Sequence, residues 1–182
     1  MRHLLAVVIF SLVATSALAE DWRQARIRPQ DARLATLLRD GAARSATFRA
    51  LIDRIEASNV FVYVALSPTM RSNLAGKLTW MTRAGEFRYL RATISTEQNT
   101  DQMIATLAHV LQLVIEVIDD VRVSDQRTLQ ELYKRIGRPS YSGLAAAFET
   151  EAAQQTGFRV RRELVDTAVP TTATRSGELA QS

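Results

Sequence analysis

The segment from Thr100 or Asp101 to about Ile118 constrains the fold more than any other. Met103, Ile104, Leu107, Val110, Leu111, Leu113, Val114, Ile115, Val117 and Ile118 recur at helical spacing and cover most of a helix's circumference. Such a helix needs neighbours on most sides, so it belongs at the centre of a core. Polar residues interrupt it throughout, which excludes a membrane span. Gln102, Thr106, His109, Gln112 and Glu116 follow three- and four-residue steps and form one polar stripe along it.

The flanking sequence supplies the elements that cover this helix. After Pro29-Gln30-Asp31, Leu34, Leu37 and Leu38 predict a helix closed by Gly41. Ser45 caps a second, with Phe48, Leu51, Ile52 and Ile55 on one face. Asn59 breaks it. Val60–Leu66 is rich in β-branched and aromatic residues and predicts a strand ended by Ser67-Pro68. Leu78–Arg83 and Phe87–Ile94 predict a hairpin around Ala84-Gly85, with Trp80, Tyr89 and Leu90 in cross-strand contact. Ser124 caps a helix over Asp125–Ile136, which Gly137 and Pro139 terminate. Leu144–Leu164 is Ala- and Glu-rich and predicts a last helix, weakest at Gly157. The expected fold is α+β: a small antiparallel sheet with a hairpin, packed on the long central helix and its flanking helices.

The N-terminus has the layout of a secretory signal peptide. Met1-Arg2-His3 is basic, Leu4–Val13 is apolar, and Ala17-Leu18-Ala19 fits a cleavage site. The apolar run is shorter than the roughly 18 residues of a spanning helix. Residues 1–19 are therefore expected to be removed, leaving no transmembrane anchor and an exported chain, periplasmic or secreted. Residues 20–167 form a single domain, and 168–182, rich in Thr and Ser without periodicity, form an expected disordered tail.

Composition then narrows the chemistry. The 182 residues hold no Cys and only two His, His3 and His109. Disulfides, thiolate metal sites and Cys nucleophiles are excluded, and the mature chain has one imidazole. Loss of Arg2 lowers the net charge from +4 to +3. The arginines are scattered among acids, so no nucleic-acid interface is expected. Ser45, Ser58 and Ser67 have no evident His–acid partners, no Gly-rich phosphate loop exists, and Asp119-Asp120 reads as a solvated pair.

The stripe lies in Thr106-Leu107-Ala108-His109-Val110-Leu111-Gln112-Leu113-Val114-Ile115-Glu116-Val117. This segment resembles the helix of zincin metallopeptidases, whose signature is H-E-x-x-H. More closely, it resembles a group of exported bacterial proteins whose helix reads roughly H-E-L-Q-H-A-x-E. Their element order is similar: two leading helices, a short strand, a hairpin with a sequence like Arg88-Tyr89-Leu90-Arg91, then this helix. Ala43-Arg44-Ser45-x-Thr47-Phe48 and Ile55-Glu56-Ala57-Ser58-x-Val60 fit as well. The resemblance spans about Arg26 to Glu163 and implies a minimal zincin-like fold.

The departures bear on function. In a zincin, two His one turn apart bind zinc, and the Glu after the first polarises the attacking water. Here His109 is kept, Val110 replaces that Glu, and Leu113 replaces the second His; Glu116 matches the family's later Glu. Val110 cannot accept a proton and Leu113 has no lone pair. His109 and Glu116 supply at most two of the three ligands a catalytic zinc takes. The resemblance thus implies an exported, catalytically degenerate zincin-like protein, not an enzyme, with no metal and no cofactor. Its remaining groove, flanked by Gln112, Tyr89 and Arg91, is expected to take an unknown peptide or protein. Two alternatives are a metallopeptidase with an unusual carboxylate-rich metal site using Glu116, and a structural or interaction protein of the cell envelope. A lone His on an apolar helix is also commonly a packing residue.

Overall fold

A computed structural model of the chain describes residues 25–70, 74–140 and 147–168. The expected signal peptide and the tail beyond Ala168 lie outside the described residues. Strand β1 (Ile27–Pro29) leads into helices α1 (Ala32–Arg44) and α2 (Ala46–Glu56), then strand β2 (Val60–Ser67). Strands β3 (Gly76–Ala84) and β4 (Phe87–Ser95) form a hairpin, followed by helix α3 (Thr100–Asp119) and helix α4 (Gln126–Ile136). A short pair, β5 (Arg138–Ser140) and β6 (Ala147–Glu149), precedes helix α5 (Glu151–Ala168). The fold is α+β.

The main sheet has the order β1-β2-β4-β3 and is mixed, not antiparallel throughout. β1 pairs parallel to β2, and β2 parallel to β4; only β3 and β4 run antiparallel. The reason is connectivity. The α1–α2 pair carries the chain back to start β2 alongside β1. The segment after β2 carries it to the outer edge, so β4 returns in the direction of β2. Parallel strands require such crossovers.

Local chemistry sets the helix limits. Asn99 and Gln102 form a reciprocal capping box at the start of α3. Asp125, not Ser124, caps α4, its carboxylate accepting from the Thr128 amide at 2.7 Å. Helix α1 runs through Gly41, expected to close it, to Arg44; the glycine serves packing, since Ile104 and Phe48 leave no room there for a side chain. Ala147–Glu149, expected as helix, instead pairs with β5, and Thr150 caps α5 through the Ala153 amide.

Val62, Val64, Leu90, Ala92 and Ile94 are fully buried on the sheet face that meets α3. They join Phe48, Leu107, Leu111, Val114 and Val160 in one core. By length and composition α3 could cross a membrane, but its apolar surface is taken up by this core.

Polar clamps tie the helices together. The Glu163 carboxylate on α5 accepts from Ser45 Oγ (2.5 Å), Thr47 Oγ1 (2.5 Å) and the Thr47 amide (3.1 Å), capping α2 from across the molecule. Arg44 holds both oxygens of Asp101 at 2.8 and 3.1 Å and donates to the Leu164 carbonyl. Arg88, buried behind β4, donates to the Val117 carbonyl at 2.6 Å, where a cation complements the C-terminal end of α3. Of Asp119 and Asp120, expected to be solvated, Asp119 is exposed and pairs with Arg54, whereas Asp120 is largely covered by its pairs with Arg122 and Arg135.

Candidate functional site

The polar stripe of α3 is the side of the helix that the core does not use. Its N-terminal part, Gln102, Thr106 and His109, opens onto a groove of about 1000 Å³ between β3, α3, α4 and α5. Leu113 follows His109 by one turn and lines the same groove. Leu78 from β3, Leu129 and Tyr133 from α4, and Phe158 from α5 complete its apolar lining. Gln126, Gln130, Lys134, Gln154 and Arg161 add polar groups.

His109 is half-buried, and burial holds its imidazole below the usual value; the nearby Glu149 carboxylate opposes this only in part. The ring is therefore neutral at pH 7. Gly157 lies where α5 crosses α3: a Cβ there would stand 3.3 Å from the Ala105 carbonyl and 3.4 Å from His109 Cβ. The helix continues unbroken through it, so the expected weak point is instead a point of close approach.

Val110 is fully buried. Its Cγ2 would be 2.8 Å from a Cβ on Gly76, so it fills the contact between α3 and β3. Glu116 lies beyond the groove. Its Oε1 accepts from Thr150 Oγ1 at 2.6 Å, while Oε2 is buried without a partner among the described residues. Burial raises its pKa, the Thr150 hydroxyl lowers it, and Asp119 raises it further. Tyr133 donates its hydroxyl to the Leu113 carbonyl at 2.8 Å, tying α4 to the helix at the site. Among the described residues no three His, Asp or Glu side chains are grouped as a metal ion would require.

Three expected groove residues lie elsewhere. Gln112 faces α5, 3.4 Å from the Thr156 hydroxyl. Tyr89 and Arg91 lie on the opposite face of the sheet, where Tyr89 stacks on Phe61 with centroids 5.1 Å apart. Strand alternation puts both on the side away from Leu90 and Ala92. Sequence reasoning missed Tyr133, Glu149, Thr150 and Phe158, which come from elements distant in the chain. Only Tyr133 carried a signal, on the apolar face of the strongly amphipathic α4.

No family model, curated protein or solved structure matches the chain.

Proposed function

We propose that this chain is an exported, catalytically degenerate zincin-like protein whose groove holds an extended peptide or protein segment. The observation that carries the reading is the placing of His109 and Leu113 side by side on the α3 wall of an open groove. In the resembling enzymes that position presents metal and substrate together. Here one ligand is a leucine and the position of the general base is a core valine, so hydrolysis has no agent while the cavity persists. Two further features favour a peptide. The groove wall combines apolar side chains with amides, and β3 is an edge strand whose first residues, Gly76–Leu78, border it. An unpaired strand edge beside apolar pockets suits strand addition. The reading of export rests on the signal-like N-terminus.

Fluorescein-labelled reduced, carboxamidomethylated lysozyme, an unfolded polypeptide of basic charge, tests capture by anisotropy. Leu113→Arg, which projects a guanidinium into the groove, is expected to weaken capture at least tenfold, and the exposed-site variant Phe158→Ser severalfold. The labelled lysozyme should stay intact with added zinc. Capture unchanged in both folded variants, or zinc-dependent cleavage, overturns the reading. The ancestry has a separate test: Val110→Glu with Leu113→His together should create zinc binding by calorimetry, and each alone much less.

A further inference from the structure

We propose that the face of the sheet opposite the groove is a docking surface for an acidic polypeptide segment. Two rows of side chains cross it. Strand register aligns Arg28, Tyr63, Arg91 and Thr79 in one row. Phe61, Tyr89 and Thr82 form the next, with Arg26 at its end. These positions carry cations, aromatics and hydroxyls and no carboxylate.

The guanidinium carbons of Arg26 and Arg28 sit 4.4 and 4.5 Å from the Phe61 centroid. Arg26 also lies 4.8 Å from Phe87, and Arg28 5.7 Å from Tyr63. Two like charges share one ring, and neither is ion-paired among the described residues. Arg28 spends two of its nitrogens on the Ala25 carbonyl and the Tyr63 hydroxyl; the Arg26 guanidinium donates to no described residue. A guanidinium held face-on to a ring presents its in-plane N–H groups at its edge, where a carboxylate is received; those of Arg26 and the Nη2 group of Arg28 are uncommitted among the described residues.

The layout favours a polypeptide. Arg28 and Arg91 flank β2, so their backbones lie about 10 Å apart at the usual strand spacing. A chain in the polyproline II conformation, with three residues per turn and about 3.1 Å per residue, covers that distance in one turn and brings residues three apart to the same side. Carboxylates at every third position would meet both cations in one crossing. Single-stranded nucleic acid fits less well. Phe61 and Tyr89 are stacked on each other, with an interplanar angle of 9°, and Phe61 is only 9% exposed, so bases find little free ring face to stack on.

Fluorescein-labelled (Glu-Gly-Ser)4 titrated with the full chain tests this, beside (Gln-Gly-Ser)4, a 12-residue oligothymidylate and phosphatidylglycerol vesicles. The acidic peptide is expected to bind, weaken with salt, and lose about tenfold affinity in Arg28→Gln/Arg91→Gln. Arg28→Lys/Arg91→Lys should fall between, keeping charge without the planar fork. Melting curves establish that each variant is folded. Leu113→Arg should leave this binding unchanged, which separates it from the groove. Equal binding of the neutral peptide, indifference to the arginine variants, or dependence on Leu113 overturns the proposal. Tighter arginine-dependent binding of oligothymidylate or vesicles overturns it in favour of that partner.

Discussion

The two faces of strand β4 make opposite use of one short sequence. Leu90, Ala92 and Ile94 point toward α3 and are fully buried, whereas Tyr89 and Arg91, which alternate with them, point to the other side, where Arg91 is exposed. On the helical side the contacts of β4 are dense and apolar, and the groove beside His109 opens among the helices. On the other side, planar groups stack laterally across strands, and charge remains available. One side therefore carries the stability of the domain. The other contributes less to it, and its exposed side chains are free to vary.

Substitutions at neighbouring positions should break or sharpen this contrast. Leu90→Ala leaves a cavity against α3 and should cost about 3 kcal/mol, read as a lower denaturant midpoint. If Leu90→Ala cost no more than Arg91→Ala, the contrast would collapse. Glu163→Ala, on the helical side, removes three hydrogen bonds to the start of α2 and should cost about 2 kcal/mol. Its effect should fade in acid. Against the cost of burial, the Ser45 and Thr47 hydroxyls hold this carboxylate below its usual range. Its stabilisation is therefore present above the unfolded value near 4.5 and lost as pH falls through the folded value.

Glu116 has the opposite sign. Burial raises its folded pKa, so its contribution is complete below the unfolded value of 4.5 and is lost as pH rises through the folded one. Glu116→Gln keeps an acceptor for Thr150 without the charge. It should melt roughly 2 °C above the parent at pH 7.5 and show no advantage near pH 4. The smallest effect belongs to the exposed face: Arg91→Ala should change stability by less than about 0.5 kcal/mol. A larger loss there would mean that the outer face supports the fold.

Much of this architecture was legible in residue order. The apolar period from Met103 to Ile118 identified α3, and of the two starts it allowed, Thr100 and Asp101, the Asn99 cap selects Thr100. The hairpin followed from Leu78–Arg83 and Phe87–Ile94, although its turn lies one residue later, at Gly85-Glu86. Strand direction was not legible, because alternation specifies which residues share a face and says nothing of how strands run. β1 was missed because three residues ending in Pro29 carry almost no period. β6 was missed because Ala147-Phe148-Glu149 has helical composition and becomes a strand only by pairing with β5. At the site, His109 stood out on the polar stripe of α3, whereas Leu113 was singled out only through the resemblance to the zincin helix. Tyr89 and Arg91 were assigned to the wrong side, although their alternation with the apolar Leu90, Ala92 and Ile94 marked which side the core would claim.

The Glu163 clamp has a consequence for the order in which the molecule assembles. Its contacts to Ser45 and Thr47 span 118 and 116 residues of chain. During synthesis the hinge between α1 and α2 therefore emerges long before the carboxylate that caps it, and Val160 and Leu164 of the core emerge just as late. Closing so long a loop is an entropic barrier that local helix formation does not lower. The N-terminal helices remain an incomplete unit until nearly the last residue of α5 is made, and the domain reaches its final form only after its chain is essentially whole.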